Sequence, residues 1–271
     1  MESGARDHGR LFELGQEDHV VEVAGGVGGG GGDLRRDAGP GRPGRAGAGM
    51  VHLLLFRVGS GEALEFSEAR LGAERIAARR SAGSLRFDDP EGLGLELAVV
   101  DTSDAPLTAE HPEVPAEHAL RGFDSVRAFT ATPEASRQLL ETTLGFTATG
   151  DNGWEARGAV RGGRYAYDVP PASGAGSPGA GPVHHVAWAS NMDEQEAWLD
   201  RVRRAGAHAS GIIDRFWFRS IYFREPSGGL FEIAPMGPGF SIDEDAAHLG
   251  ETRILQPAIE HLRAQSEPVL S

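Results

Sequence analysis

The chain has 271 residues, a formal net charge of −14 and a sequence pI near 5.1, so its surface repels nucleic-acid phosphates and anionic membranes. It has no uninterrupted apolar run of the roughly 18 residues that a membrane span requires. Cysteine is absent, which excludes disulfides and thiolate metal sites and suits a cytoplasmic protein.

Residues 1–48 differ in texture from the rest. Gly25–Gly32 is nearly all glycine, and Arg35–Ala48 is a Gly/Pro/Arg/Ala string, which predicts irregular chain. One island, Asp18–Ala24, alternates and is rich in β-branched residues, as a strand is. No apolar core precedes a small-residue cleavage site, which argues against secretion.

From Gly49 the pattern becomes that of a folded domain. Met50–Val58 predicts a strand and Gly61–Gly72 a helix. Ser84–Phe87 and Leu93–Val100 predict strands around the turn Asp88-Asp89-Pro90-Glu91-Gly92. Residues 101–118 form a polar, Pro-containing linker. Gly122–Thr130 then predicts a strand and Thr132–Thr143 a helix with Pro133 in its first turn. Short strands follow at Phe146–Ala148, Gly153–Ala156 and Arg164–Asp168. After the loop Pro170–Pro182 come strand Val183–Ala189, helix Met192–Ala205, strands near Ala209–Ile213 and at Ser220–Arg224, the turn Pro226–Gly229 and strand Leu230–Pro235. The acidic tail from Gly237 ends in a predicted helix, Pro257–Gln265.

A strand, a helix and about three strands thus recur at a spacing of roughly 55–65 residues. Two turns are internal cousins. Each places a Glu four residues beyond a turn glycine, Glu96 after Gly92 and Glu232 after Gly228, inside an apolar strand. The fold class this predicts is α+β. The segments are an irregular 1–48, a βαβββ module over 49–105, two further modules over 119–236 and a tail over 237–271.

The stretch Val183–Ala234 carries the chemistry. His185 sits in an apolar strand, and a carboxylate between Phe231 and Ile233 is costly to bury unless paired or metal-bound. Two His and one carboxylate form the facial set of non-haem Fe(II). His185 and Glu232 are therefore candidate metal ligands, with Mn(II) and Zn(II) as alternative metals. The aromatic run Phe216-Trp217-Phe218 suits either a ring-sized pocket, core packing or the interface of a homo-oligomer.

The repeat resembles the βαβββ module of the vicinal oxygen chelate superfamily, which includes glyoxalase I, bleomycin-resistance proteins and extradiol dioxygenases. Val183-His184-His185-Val186-Ala187, Asp214-Arg215-Phe216, Ser220-Ile221-Tyr222-Phe223-Arg224-Glu225-Pro226 and Leu230-Phe231-Glu232-Ile233-Ala234 together are similar to the ring-cleaving dioxygenases acting on hydroquinones. That resemblance covers roughly residues 49–265 and implies an Fe(II) enzyme taking a small aromatic substrate and O2. It implies proton transfer or phenolate binding by His184, Arg215 and Tyr222. It also implies a third metal ligand from the opening strand of a first module, where His19 stands. The N-terminal stretch reads as a truncated or altered form of that module. A glyoxalase-type lyase or isomerase using Zn or Ni is the competing enzyme reading. A metal-free binding protein or inactive copy is the competing reading outside catalysis. Neighbouring strand residues point to opposite faces, so His184 and His185 share one site only if the strand twists or bulges.

Overall fold

A computed structural model of the chain describes residues 44–108, 111–150, 152–171, 176–177, 179, 181–245, 248–249 and 255–266, together with the backbone of 21–25. The predicted α+β order is present. The isolated N-terminal island contributes strand β1 (Val21–Gly25). The next module comprises β2 (Val51–Val58), α1 (Gly61–Ala73), β3 (Ala78–Arg80), β4 (Ser84–Asp88) and β5 (Gly94–Val99). A further one runs through β6 (Phe123–Phe129), a short helical segment, β7 (Thr147–Gly150), β8 (Gly153–Arg157) and β9 (Gly162–Asp168). The last comprises β10 (Val183–Ser190), α2 (Gln195–Arg204), β11 (Ile213–Asp214), β12 (Arg219–Arg224) and β13 (Leu230–Pro235).

Local chemistry explains the helix starts. Ser60 precedes α1 in extended conformation, and its side chain accepts the Ala63 N–H. Such a cap contributes about 1 kcal/mol. Asn191 and Glu194 form a reciprocal capping box that opens the turn leading into α2. The predicted helix Thr132–Thr143 takes another form: a 3-10 turn over Pro133–Ser136, then a π-helical turn over Gln138–Thr143. The wider turn lets the consecutive Leu139 and Leu140 both reach the core, together with Thr143.

Among the described residues the strands form two mixed sheets. One has eight strands in the order β3-β4-β5-β2-β6-β9-β8-β7, the other five in the order β1-β10-β13-β12-β11. Within each module the first strand runs parallel to the last, as β2 with β5, β6 with β9 and β10 with β13. Between modules the first strands run antiparallel, β2 against β6 and β1 against β10. Strand β1 thus stands to β10 as β2 stands to β6. Hydrogen bonding does not follow chain order, since the small sheet joins residues 21–25 to residues 183–235.

The core lies between the sheets. Val126, Ala128, Tyr165 and Tyr167 from the large sheet meet Val186, Trp188, Phe231 and Ile233 from the small one. Tyr165 stands edge-on to Phe231 at 5.1 Å, and Trp188 lies 5.4 Å from Phe231. Burying an aromatic such as Phe231 contributes about 1.5–3 kcal/mol. Side chains alternate along strands, so the intervening residues Arg127 and Asp168, or His185 and Glu232, lie on the opposite face of each sheet.

One polar device ties the sheets together. Glu225, in the turn before β13, is 2% exposed. It accepts hydrogen bonds from Ser136 Oγ (2.5 Å) and Tyr167 OH (2.8 Å) of the large-sheet module. It also accepts from the backbone N–H of Ser227 (2.8 Å) and Gly229 (2.9 Å) and from Ser227 Oγ. Burial, and then the Glu225 charge, push the Tyr167 hydroxyl well above its ordinary pKa, so it stays a donor. Beside this turn, the chain leading into β2 passes at Gly49, which has φ +78. A Cβ there would lie 2.7 Å from Ser227 O, so only glycine fits.

Candidate functional site

Strands β10, β13 and β12 lie side by side in the small sheet and bring the predicted residues together. Ala187 pairs with Glu232 and Tyr222 pairs with Glu232, so His185, Glu232, Tyr222 and Ser220 share one face. Their neighbours Val186, Phe231, Ile233 and Ile221 pack into the core behind them. The alternation that made Glu232 conspicuous in sequence is thus the alternation that aims it.

His185 Nε2 lies 2.6 Å from Glu232 Oε2, and both side chains are largely buried. Ser220 donates its hydroxyl to the other carboxylate oxygen, Oε1. Burial works against ionisation of Glu232. The hydrogen bond and charge of His185, with the Ser220 and Tyr222 hydroxyls, outweigh it and hold the carboxyl below its usual range. Glu232 is therefore an anion at neutral pH. Burial, and then the Glu232 charge, push the Tyr222 hydroxyl upward, which keeps it protonated.

His184 Nδ1 lies 2.9 Å from His185 Nδ1. The strand irregularity that this requires is present: β1 pairs Ala24 with His185 and Gly25 with Val183, so His184 occupies the bulge. Burial, and then the neighbouring His185, lower the His184 pKa, so the ring is neutral at pH 7. His185 Nε2 faces the Glu232 anion at hydrogen-bond distance, and one hydrogen bond joins the two Nδ1 atoms of His184 and His185.

Arg215 lies with its guanidinium carbon 5.4 Å from the centre of the Tyr222 ring, which itself stands edge-on to His185 at 5.5 Å. The loop that aims it is strained. Phe216 has φ +73, a left-handed conformation costing about 1–2 kcal/mol for a residue with a Cβ. Asp214 Oδ1 accepts the Phe216 N–H at 2.8 Å, and Arg215 N–H donates to Phe218 O at 2.8 Å, which holds the turn. The aromatic run therefore splits. Trp217 is buried against Phe240 and donates Nε1–H to Asp243, while Phe216 is exposed.

His184, His185, Glu232, Arg215 and Tyr222 thus converge. His19 lies outside the described residues, two positions before β1. Among the described residues no group of three or more His, Cys, Asp or Glu converges in a way that could hold a metal. Glu96, the sequence cousin of Glu232, pairs with Leu55 on β2 and Arg86 on β4 and faces no histidine across either strand. Ser220 was not singled out from sequence, although its place two residues before Tyr222 puts it on the Glu232 face. A cavity of about 380 Å³ borders His184 and His185 from the side of Val51, Tyr165 and Phe231. It does not reach Glu232, Tyr222 or Arg215, so we assign the site to the sheet face on which the polar groups meet.

The sequence profile of the Glyoxalase/Bleomycin resistance protein/Dioxygenase superfamily matches residues 122–233. The chain is 33% identical over 248 residues to a Bacillus subtilis (strain 168) protein named "Putative ring-cleaving dioxygenase MhqA", an alignment spanning 84% of this chain and 77% of that protein. It is 29% identical over 248 residues to the chlorohydroquinone/hydroquinone 1,2-dioxygenase of Sphingobium indicum, spanning 85% and 77%. A crystal structure of a "putative dioxygenase" from Bacillus subtilis superposes with a TM-score of 0.75 at 29% identity, covering 97% of this chain and 88% of that one.

Proposed function

Because the chain belongs to the glyoxalase/bleomycin resistance protein/dioxygenase superfamily, we propose that it is an Fe(II)-dependent ring-cleaving dioxygenase acting on a hydroquinone- or catechol-like dihydroxybenzene. The observation that carries this reading is the buried His185 Nε2–Glu232 Oε2 pair at 2.6 Å, with His184, Arg215 and Tyr222 beside it.

The donor set fits a divalent metal of that class. A carboxylate and an imidazole nitrogen aimed at one another, with no thiolate in the chain, suit Fe(II), with Mn(II) or Zn(II) as alternatives. His185 and Glu232 would hold it, and His19 is the proposed third ligand. Bound iron supplies the redox and O2 chemistry that no side chain here supplies. The protein's own groups do the rest. Ser220 fixes the second oxygen of Glu232 and so its rotamer. His184, hydrogen-bonded to His185 through Nδ1, would carry the proton of a substrate hydroxyl. The protonated Tyr222 hydroxyl donates to the resulting phenolate oxygen, and the Arg215 charge stabilises it.

The test is oxygen uptake with hydroquinone and with catechol after anaerobic Fe(II) loading. Uptake with at least one, lost in Glu232→Ala, is expected. An iron-loaded chain inert toward both, or uptake that persists in Glu232→Ala, overturns the proposal. Deleting residues 1–48 examines His19 separately, because robust uptake by the shortened chain removes it from the ligand set.

A further inference from the structure

The cavity of about 380 Å³ lies at the end of the small sheet where β10 and β13 begin and β12 ends. Met50, Val51, Val183, Leu230 and Phe231 make its walls largely apolar, and its volume falls in the range of small-molecule pockets. His184 and His185 border it too, so it shares a wall with the candidate site. Arg224 supplies the positive charge on its lining.

Strand geometry turns Arg224 toward the site and away from the core. It lies two residues after Tyr222 on β12 and pairs with Leu230, two residues before Glu232. Alternation therefore puts Arg224 and Leu230 on the face that carries Tyr222 and Glu232. Arg224 is exposed and donates Nη1–H to Gly228 O at 2.7 Å. Arg57, Arg127 and Arg157 each pair with an aspartate, whereas among the described residues no carboxylate forms an ion pair with Arg224. A guanidinium at the edge of an apolar cavity recognises a carboxylate carried on an apolar body.

We propose that this cavity receives the carboxylate that ring cleavage generates, holding the ring-opened product on Arg224 beside His184 and His185. The identity of the ligand rests on the ring-cleaving reading above. Cleavage of a dihydroxybenzene breaks one ring C–C bond, and both atoms of O2 enter the product. A hydroxyl-bearing carbon leaves as a carboxyl group and its former neighbour as a carbonyl group. A phenolic hydroxyl, with a pKa of about 10, is neutral at pH 7, whereas a carboxyl group ionises at about pH 4. Attraction to Arg224 therefore arises when the ring opens. The neutral diol feels no such pull, and the anionic product is drawn off the reacting face into the cavity as it forms.

The test uses the full chain after anaerobic Fe(II) loading, the same preparation as for oxygen uptake. Equilibrium dialysis compares two stable probes of the product's shape, the unsaturated carboxylate sorbate and the neutral sorbyl alcohol. Sorbate is expected to bind about tenfold more tightly, the worth of one charge-assisted hydrogen bond. Arg224→Gln should lose that preference, Arg224→Lys should keep most of it, and Arg215→Gln should leave it unchanged. Equal affinity for the two probes overturns the proposal. So does a preference that survives Arg224→Gln, which would assign the anion to the metal, or one lost in Arg215→Gln. Oxygen uptake without any sorbate preference refutes the cavity assignment and leaves the ring-cleaving reading intact. Sorbate preference in a chain inert toward both diols refutes that reading, and with it the product as the ligand.

Discussion

Replacing Glu225 with Ala should be among the most destabilising single changes in the chain. The carboxyl group is 2% exposed and accepts from Ser136 Oγ, Tyr167 OH, Ser227 Oγ and two backbone N–H groups. Truncation leaves several of these donors buried without an acceptor, and each costs about 1–3 kcal/mol. Some of that loss is recovered, since Ser227 Oγ already lies 3.2 Å from Tyr167 OH and can re-pair with it. A net cost on the order of 3–5 kcal/mol remains, comparable to breaking a buried ionic pair. For a chain of this size that lowers the melting temperature by about 6–20 °C. The assay is urea unfolding of metal-free protein. Asp89→Ala is the control, because Asp89 in the cousin turn is less buried and, among the described residues, its carboxylate accepts just the backbone N–H groups of Glu91 and Leu93. It should lose about 1 kcal/mol. A Glu225→Ala chain within about 1 kcal/mol of the wild type would refute the account of how the sheets are joined.

Three further outcomes follow from the geometry. His185→Ala and Glu232→Ala should each abolish iron retention, while Glu96→Ala leaves it intact; metal analysis after gel filtration decides, and iron kept by Glu232→Ala would show the wrong carboxylate was chosen. Ser220→Ala should weaken metal affinity by roughly 10–100-fold through a loosened Glu232, measured by competition with a chromogenic chelator; unchanged affinity would deny Ser220 that role. Asp168 has its folded pKa lowered chiefly by Arg127, so its contribution is present above the unfolded value of about 3.9 and is lost as pH falls through the folded value. Acid unfolding between about pH 5 and 2 should therefore be steeper in the wild type than in Arg127→Met, and identical profiles would contradict the pairing.

Much of the small-sheet site was legible because its signals are local. An acid between two apolar strand residues stands out at Glu232, and the double histidine marks β10. The bulge that brings His184 onto His185 depends on the backbone of β1, more than 150 residues away, so sequence gave the conflict and not its resolution. Ser220 was legible in principle, by counting two residues back from Tyr222. The hydrogen-bonded His52–Arg127–Asp168 cluster of the large sheet was not, because it joins three strands whose residues are 41 and 116 positions apart. The segment Thr132–Thr143 has a helix-like composition. Its π turn is set by what Leu139, Leu140 and Thr143 pack against, which propensity does not encode.

The pairing of β1 with β10 has a consequence for biosynthesis. Gly25 leaves the ribosome about 160 residues before its partner Val183, and at about 5–20 residues per second that is a wait on the order of ten seconds or more. Through that interval the large sheet, whose strands are contiguous over residues 51–168, can assemble from what has already emerged. The small sheet cannot close until β13, which ends at Pro235, has emerged, so the candidate catalytic face is expected to take shape after the large sheet. Its long-range closure makes it the step at which a nascent chain is most exposed to misassembly and most dependent on chaperones.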